Sequence, residues 1–414
     1  MISTDIVVIG GGCVGLTAAL GLAEQGYSVV VVDRASELVE LSEPQPRVSA
    51  LSLASQQILT NLNAWQHMES DRLSAYDSMK VWDKESFGDI SFDADQVNQS
   101  HLGHIVENSN IRNGLIKAAK AQSLITLKFE TEITAIHNND EQVVLTLVDG
   151  GADANSLVMA KLAVAADGAQ SWVKKQLKSA TTFSDYDHHA IVANIKTAEP
   201  HNQCARQVFL PQGPLALLPM FGEQQNICSI VWSTSPEQAE HLINMDEVDF
   251  NKHLTAATDS VLGPCEVTTA RVSFPLTMRY TQQWLDKRVI FIGDAAHTIH
   301  PLAGLGMNLG LLDAASLVEC LSSSSSNALL NDQVKLTRQL REFERWRKAE
   351  AQVLIVAMAS LKELFEGSNP IKKLIRGVGL KITNKAPLVK NKIIEQAMGI
   401  SGKLPVLAQQ VDEI

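Results

Sequence analysis

Short apolar runs that end in glycine-rich turns recur along this chain, and they predict the strands of a sheet covered by helices. The run Asp5–Ile9 leads directly into a glycine-rich turn, helical spacing of apolar residues follows over Leu16–Gln25, and Ser28–Val32 is a second apolar run. A strand, a glycine turn, a helix and a second strand form the first unit of a Rossmann-like fold. We therefore predict an α/β protein.

The first turn, Gly10–Gly15, has the Gly-x-Gly-x-x-Gly spacing of dinucleotide-binding folds. Gly10 allows the tight turn, Gly12 lets a pyrophosphate reach the helix N-terminus, and Gly15 lets helix and strand pack closely. Asp33 follows the second strand, where a carboxylate can accept hydrogen bonds from an adenosine ribose. The motif indicates a dinucleotide but does not separate FAD from NAD.

Two more turns of this kind lie further along. Asp167-Gly168 follows the apolar run Leu162–Ala166, and Gly293-Asp294 follows another apolar run and precedes more glycines and a helix over Leu311–Leu321. Bare backbone amides in such turns can approach a polar ring system closely. Glycine-rich turns near both ends of the chain favour one long cofactor held from both, and hence FAD over NAD.

Between residues 181 and 280 the pattern changes to short runs separated by turns, which predict an antiparallel sheet beside the cofactor. The predicted strands are Ala190–Ile195, Gln207–Leu210, Leu215–Pro219, Ile227–Trp232 and Thr268–Phe274, with a helix over Pro236–Asn244. The expected domains are an FAD-binding domain (1–75, 98–180 and 281–366), an inserted β-sheet substrate domain (76–97 and 181–280) and a C-terminal basic amphipathic region (367–414). Apolar residues of the inserted sheet are either chamber wall or plain core: Phe209, Leu215, Leu217, Leu218, Met220 and Trp232.

Two further helices are predicted. Val48–Leu62 follows Arg47, which is either a solvated loop charge or a residue facing the cofactor. Asp332–Phe365 has the spacing of a long amphipathic helix, and the residues expected on its polar side are Arg341, Arg345, Arg347 and Lys348.

Composition narrows the class of protein. A chain of 414 residues that is 45% hydrophobic can bury a sizeable core, and a net charge of -11 argues against nucleic-acid binding. The five cysteines form no Cys-x-x-Cys pair, so we expect free thiols, a reducing compartment and no metal site. We find no signal peptide and no apolar stretch of about 18 residues. These features predict a cytoplasmic protein.

The C-terminal segment differs from the rest of the chain. Between Lys372 and Lys403 there are eight basic residues and one acidic residue, interleaved with leucine, isoleucine and valine. Such a segment suits an anionic membrane surface, and peripheral attachment to the inner membrane is one expectation. The alternative is an ordinary solvated helix.

With these motifs the chain resembles the single-component flavoprotein aromatic hydroxylases, whose best-known member is para-hydroxybenzoate hydroxylase. It is most similar to the FAD-dependent hydroxylases of ubiquinone biosynthesis, through RVSALSLAS from Arg47, HLGHIVEN from His101, GDAAHTIHPLAGLGMNLG from Gly293 and AMG from Ala397. Four segments resemble the 2-polyprenylphenol 6-hydroxylase branch: VWDKESFGDISFD from Val81, ARQVF from Ala205, SIVWS from Ser229 and NPIKKLIRGVGLK from Asn369.

By position, the resemblance implies a set of FAD contacts. They are Gly12, Gly15, Asp33, Arg34, Arg47, Asn108, Asp294, Pro301, Gly304, Gly306, Met307 and Asn308, and Gly10 and Asp167 complete the predicted cofactor-binding set. The chain departs from the family at Leu305 (usually Gln), Gln170 (usually Asn) and Lys174 (usually Arg), which puts flavin affinity and reactivity in question. We expect no catalytic triad. His297 and His300 are either proton-handling or structural.

The resemblance also implies the chemistry. NAD(P)H, bound only transiently, reduces FAD, O2 adds to the reduced ring, and the flavin hydroperoxide transfers one oxygen atom to an activated phenol. The expected partners are a polyprenylphenol and other ubiquinone-biosynthesis proteins, with no nucleic acid and an undetermined oligomer. Two alternatives stay open: a flavin reductase of the same fold acting on a prenyl lipid, and a non-catalytic FAD-binding scaffold of the biosynthetic complex.

Overall fold

The computed structural model describes residues 1–149, 155–298, 305–322, 326–365 and 370–410. Its strands are β1 (Ile2–Ile9), β2 (Val29–Val32), β3 (Val48–Ser52), β4 (Ser74–Tyr76), β5 (Ser78–Asp83), β6 (Asp89–Asp93), β7 (Gly103–Glu107), β8 (Ile125–Lys128), β9 (Thr131–Asn138), β10 (Val143–Asp149), β11 (Asn155–Ala165), β12 (Thr181–Thr197), β13 (Cys204–Leu210), β14 (Gly213–Pro219), β15 (Ile227–Thr234), β16 (Cys265–Val267), β17 (Val272–Thr281), β18 (Leu285–Asp286), β19 (Val289–Phe291) and β20 (His297–Thr298). Its helices are α1 (Cys13–Glu24), α2 (Leu53–Asn61), α3 (Asn108–Lys120), α4 (Trp172–Gln176), α5 (Pro236–Asn244), α6 (Glu247–Ala257), α7 (Leu305–Leu321), α8 (Ser326–Asn331), α9 (Gln333–Phe365), α10 (Pro370–Asn384) and α11 (Pro387–Ala397).

The first sheet has the order β18-β19-β11-β1-β2-β8, and the β9–β10 hairpin extends it from β11. Strands β19, β11, β1, β2 and β8 run parallel. All four valines of β2 are buried, as expected for a strand inside a parallel sheet with both faces covered. The predicted Rossmann-like unit, β1–α1–β2, is therefore confirmed.

The second sheet has the order β20-β17-β12-β15-β14-β13-β5-β6, with β16 beside β12. Its pairings are antiparallel except that β13 and β5 run parallel, so the predicted antiparallel sheet contains one parallel pair. Helix α5 has the predicted bounds, whereas α6 was not predicted. Leu242 of α5 and Phe250 of α6 pack in one core with one face of this sheet.

A small third sheet, β3-β7-β4, lies between these parts of the chain and corrects one prediction. Residues 48–52 form a strand, and the helix predicted from Val48 begins only at Leu53. The side chain of Ser52 accepts a hydrogen bond from Ser55 N–H and so caps the helix. Residues 48–52 pair antiparallel with β7, and this pairing holds them extended up to the cap. Among the described residues, no helix combines the length and apolarity needed to cross a membrane.

Candidate functional site

Two backbone contacts shape the first glycine turn and leave no room for a side chain. Gly10 has a φ of +109°, and a Cβ there would lie 2.4 Å from the Ala166 carbonyl oxygen. A Cβ on Gly15 would lie 2.0 Å from the Gly10 carbonyl oxygen. Gly12, the N-cap of α1, has no heavy atom within 4 Å of the corresponding position. The start of α1 therefore presents accessible backbone N–H groups, which favour a phosphate.

Asp33 holds this turn in place. Its Oδ2 accepts a hydrogen bond from Gly11 N–H at 2.5 Å, and its Oδ1 accepts one from Ala35 N–H at 2.7 Å. A carboxylate has about four lone-pair positions, so the half-buried side chain can still accept a bond from a ribose hydroxyl. Arg34 beside it is exposed.

Arg112 of α3, which no motif indicated, clamps the same turn from the side. Its Nε donates to the Gly11 carbonyl at 2.9 Å. Its two terminal nitrogens donate to the carbonyls of Ser36 at 2.8 Å and Glu37 at 2.7 Å. The guanidinium thus joins the glycine turn to the loop after β2. Its position one turn after Asn108 places it on the same side of α3, but the sequence does not indicate these partners.

Asn108 brings β3 to the start of α1. Its backbone N–H donates to the Arg47 carbonyl at 3.1 Å, and its Oδ1 accepts a hydrogen bond from the Ser49 hydroxyl at 2.6 Å. Its carbonyl accepts a bond from Cys13 Sγ at 3.6 Å. Arg47 is exposed, and its guanidinium lies 5.5 Å from the centre of the Phe274 ring in β17. Arg47 therefore reaches toward the second sheet.

The Asp167-Gly168 turn faces open space on one side and the second sheet on the other. Gly168 has a φ of +82° and no heavy atom within 4 Å of its Cβ position. Asp167 Oδ2 accepts a hydrogen bond from Val173 N–H at 3.1 Å and so stabilises the start of α4. The Ala169 carbonyl accepts one from Arg279 of β17 at 2.9 Å.

Lys174, which stands where the family usually has arginine, is buried behind this turn, whereas Gln170 is exposed. Burial lowers the pKa of the Lys174 ammonium, and the nearby charge of Arg279 lowers it further, while the carboxylates of Asp167 and Asp294 oppose the shift. A compact ammonium among carboxylates replaces the fork of a guanidinium here.

Val14 joins the first turn to the third. Gly293 has a φ of +57°, and a Cβ there would lie 3.1 Å from Val14 Cγ1. A Cβ on Gly310 would lie 2.6 Å from Val14 Cγ2. These two glycines let α1, the third turn and α7 close around one valine. Gly306, by contrast, has no heavy atom within 4 Å of its Cβ position.

Asp294 lies between the turns, in a short 3-10 helix after β19. Its side chain is exposed on one side. The protein packed around the carboxylate nevertheless removes part of its solvation, and this desolvation raises the pKa of the carboxyl. The charges of His297 and Lys174 act in the opposite direction, and that of Asp313 adds to the increase. Asp294 and Lys174 are 120 residues apart in the chain, but the fold brings their charges close enough to interact.

Asp313 of α7 supports the third turn from behind and is fully buried. Its Oδ2 accepts a hydrogen bond from Gly293 N–H at 3.0 Å and lies 2.6 Å from His297 Nε2. Its Oδ1 accepts one from Arg347 Nε of α9 at 2.8 Å. Although burial would raise the pKa of Asp313, His297 and Arg347 hold it below its ordinary value.

This network changes the interpretation of two residues. His297 is 2% exposed and lies 5.1 Å from the Trp284 ring, so the structure places this candidate for proton handling in a buried network. Arg347 is also 2% exposed, and the prediction that it lies on the polar side of the helix is wrong. The carboxylate of Asp313 compensates its buried charge.

Asn308 ties α7 to β3 and α2. Its Nδ2 donates to the Ala50 carbonyl at 2.8 Å, and its Oδ1 accepts hydrogen bonds from Ser52 N–H at 3.0 Å and the Ser55 hydroxyl at 2.7 Å. The buried side chain is thus engaged by protein. Met307 is half-buried. His300, Pro301, Gly304 and the side chain of Leu305 lie outside the described residues.

Contacts therefore bring all three glycine turns together, although they lie far apart in the chain. Gly10 touches Ala166, and Val14 touches Gly293. Open Cβ positions at three glycines (Gly12, Gly168 and Gly306), accessible N–H groups at the start of α1 and the Asp33 carboxylate suit a long dinucleotide with a ribose and a pyrophosphate. These residues fit FAD.

Comparison with known proteins agrees with this site. Residues 3–331 match a family model described as FAD binding domain. The 3-demethoxyubiquinol 3-hydroxylase of Escherichia coli (strain K12) is 31% identical over 399 residues, covering 96% of this chain and 99% of that protein. The mitochondrial ubiquinone biosynthesis monooxygenase COQ6 of Homo sapiens is 33% identical over 443 residues, covering 94% and 91%. The ubiquinone hydroxylase UbiL of Rhodospirillum rubrum is 31% identical over 396 residues, covering 95% and 89%.

Solved structures share the fold. The p-nitrophenol 4-monooxygenase PnpA from Pseudomonas putida DLL-E4 superposes with a TM-score of 0.75 at 17% identity, covering 97% of this chain and all of that one. PqsL from P. aeruginosa, in complex with 2-aminobenzoylacetate, superposes with a TM-score of 0.73 at 20% identity, covering 92% of this chain. The predicted fold class, with its second sheet and helical C-terminal region, is confirmed.

Proposed function

This chain belongs to the FAD binding domain family, in the group of ubiquinone-biosynthesis hydroxylases, and from that membership we propose that it hydroxylates the ring of a 2-polyprenylphenol. It is an FAD-dependent monooxygenase. The observation that carries the proposal is the meeting of the three glycine turns beside the second sheet. A cofactor held there lies against a wall that could receive an aromatic substrate.

The residues that would hold FAD follow from the geometry. Gly12 and the N-terminus of α1 would bind the pyrophosphate, and Asp33 the adenosine ribose. Gly168, Asp294 and the backbone at Gly306 would border the ring system, whose reduced form supplies oxygen activation after reduction by NAD(P)H. The protein would position this ring and keep water from it.

The substrate wall would be the face of the second sheet turned toward the 44–47 loop. Asn194 Nδ2 of that sheet donates to the Pro44 carbonyl at 3.3 Å, which fixes the direction of this face. Phe274, Leu276 and Met278 share it and pack together. An apolar aromatic wall suits a prenylated phenol.

The six apolar residues considered for the chamber wall do not all lie on the same face of the second sheet. Leu215, Leu217 and Trp232 pack with α5 and α6 on the opposite face, so they are core. Leu218 and Met220 pack against Ile105 of β7 and stay candidates for the chamber. The ring of Phe209 stacks on the ring of Phe365 in α9, with 3.9 Å between the ring centres.

The proposed substrate also implies a place of action. A polyprenyl chain stays in the bilayer, so the enzyme must either extract the lipid or meet it at the membrane surface. We include peripheral association with a membrane in the proposal, together with contact with other proteins of the same biosynthesis.

The test starts from the visible spectrum of the purified protein. A flavin spectrum that bleaches with NADPH, faster in the presence of a short-chain 2-prenylphenol, is expected. Under labelled dioxygen, the product should be a catechol carrying one labelled oxygen at the free carbon ortho to the hydroxyl. The phenol hydroxyl donates electron density to its ortho and para carbons and so activates both toward an electrophilic oxygen. The proposal therefore requires the protein to position the free ortho carbon, and not the para carbon, at the reacting oxygen.

Three results would contradict the proposal. Hydrogen peroxide without hydroxylated product, across several prenylated phenols, would leave a scaffold that binds FAD. Reduction of a prenyl chain without oxygen uptake would indicate the flavin reductase. Hydroxylation of a 3-demethoxyubiquinol instead would keep the enzyme class and change the substrate.

A further inference from the structure

Helices α10 and α11 expose apolar side chains to solvent. On α10 the spacing is i, i+1, i+4 and i+8, and on α11 it is i, i+1 and i+5, which places each set along one side of its helix. Leu388 is 84% exposed and Ile382 is 62% exposed. We call the following seven residues the apolar face: Leu374, Ile375, Val378, Ile382, Leu388, Val389 and Ile393.

Two basic residues of these helices are buried, which differs from a solvated helix. Arg376 is 2% exposed, its Nε lies 3.3 Å from Asp83 Oδ2, and a terminal nitrogen donates to the Phe365 carbonyl at 2.7 Å. Lys390 is buried as well. The basic residues expected on the surface thus lie inside in these two cases, while leucine and isoleucine lie outside. Patches of this kind mark contact with an apolar phase or a partner.

The apolar face is firmly attached to the second sheet. A Cβ on Gly88 would lie 2.9 Å from Gly377 Cα, so α10 meets the β5–β6 turn without a gap. Lys373 Nζ lies 2.8 Å from a carboxylate oxygen of Glu85 in the same turn. Phe87 is half exposed and packs on Gly377 beside the face. The exposure is therefore built into a fixed surface.

Three lysines border the apolar face. Lys381, Lys385 and Lys392 are exposed, and among the described residues no ion pair joins them to a carboxylate. Glu395 is the one acidic residue between Lys372 and Lys403, although the whole chain has a net charge of -11. Positive charge thus collects where apolar side chains are exposed.

We propose that the apolar face and its three lysines dock on the surface of an anionic phospholipid bilayer. Leucine and isoleucine enter the boundary of the acyl chains, while the lysines pair with the headgroups. A second copy of the chain is a poorer occupant, because a symmetric dimer through this face would bring the three lysines of each copy together without carboxylates opposite them. The inference rests on the proposed function in one respect: a polyprenyl substrate would explain why the protein binds a bilayer.

Flotation with vesicles tests the proposal, using phosphatidylcholine alone or mixed with phosphatidylglycerol. The full-length protein should float with mixed vesicles and much less with phosphatidylcholine. In the triple variant Lys381→Glu, Lys385→Glu, Lys392→Glu, binding should fall more than tenfold, since each lysine near an anionic surface contributes about fivefold. Salt should weaken binding of the wild type. The matched control reverses three exposed lysines elsewhere: Lys196, Lys287 and Lys335.

The apolar part has its own variant, Ile375→Gln, Ile382→Gln, Leu388→Gln, which should also bind at least tenfold more weakly. Its control substitutes three exposed valines elsewhere: Val248, Val272 and Val334. Circular dichroism checks folding of each protein. Wild type that does not float, or equal flotation of wild type and both variants, overturns the proposal. The proposal is also overturned if light scattering shows a wild-type dimer and a monomeric glutamine variant. The assay contains no prenylphenol, so its failure would remove membrane association and leave the proposed hydroxylation to its own test.

Discussion

Gly12 and Gly15 are three residues apart, yet a methyl group would meet different surroundings at the two positions. At Gly15 it would collide with the Gly10 carbonyl, whereas at Gly12 it would point into open space. Gly12→Ala should therefore unfold in urea like the wild type, within about 0.5 kcal/mol. Its FAD affinity should fall, because the pyrophosphate needs that space. Gly15→Ala should lose more than about 2 kcal/mol of stability.

Fluorescence titration of flavin-free protein measures the affinity, and urea denaturation measures the stability. Gly379→Ala is the control, since that position of α10 is also open. If Gly12→Ala binds FAD as tightly as the wild type, the pyrophosphate does not pass there. Equal destabilisation by both substitutions would mean that packing alone explains the motif.

The motif residues were predictable from the sequence, whereas their supports were not. Glycine spacing is a local signal, and the strand before it and the acid after it are visible in one stretch. Arg112 and Asp313 act through partners about 100 and 20 residues away, to which no local pattern points. Arg347 was misplaced for a related reason. Periodicity assigns a charged residue to solvent unless a buried partner is known.

Among the elements, the strands and helices with strong periodicity were predicted, and the errors fall where two patterns overlap. Residues 48–52 were assigned to a helix because apolar residues continue into α2. α6 was missed, since Val248 interrupts the i, i+4 spacing of its two buried apolar residues, Phe250 and Leu254. Periodicity shows which face of an element is apolar, but only tertiary contacts show what covers it. For α10 and α11 the apolar face stayed outside.

The connection between α7, α9 and the third turn depends on Asp313. Asp313→Asn would leave the buried guanidinium of Arg347 without a counter-charge, and we expect a loss of about 3 kcal/mol in the free energy of unfolding. Because Gly293 loses an acceptor as well, FAD should dissociate faster. Glu350→Gln, an exposed change on α9, should have no measurable effect. Urea denaturation at pH 7 checks this, and equal stability of Asp313→Asn and wild type would contradict it.

The same residue predicts a pH dependence. The pKa of Asp313 is lowered in the folded protein, so its carboxylate contributes stability above the unfolded value of about 3.9. That contribution is lost as the pH falls through the lower, folded value. The stability difference between wild type and Asp313→Asn should therefore be constant from neutral pH to about pH 4 and shrink only below it. A difference that disappears near pH 6 would contradict this assignment of the pH dependence to Asp313.

At the scale of the whole molecule, the chain leaves the first sheet after β11 and returns to it at β18 and β19, with most of the second sheet between. Three of the contacts that join the two parts lie near the glycine turns and Arg47. β20 pairs with β17, Arg279 donates to Ala169, and Arg47 lies against Phe274. The sequence predicted the inserted sheet but not these contacts, because each depends on how two surfaces meet. The expected division into domains stays a prediction.

FAD should stabilise both parts together. Its predicted contacts come from both ends of the chain, and the three joining contacts lie beside them. FAD at 100 times its Kd adds about 2.7 kcal/mol. Spread over 414 residues, that raises Tm by about 3 °C, since the unfolding entropy is about 2.1 cal/mol/K per residue. Calorimetry of flavin-free protein should show one transition that moves by this amount with FAD and stays in place with NAD. Two transitions, of which FAD moves one, would mean that the cofactor is held by the first sheet alone and that the second sheet unfolds independently.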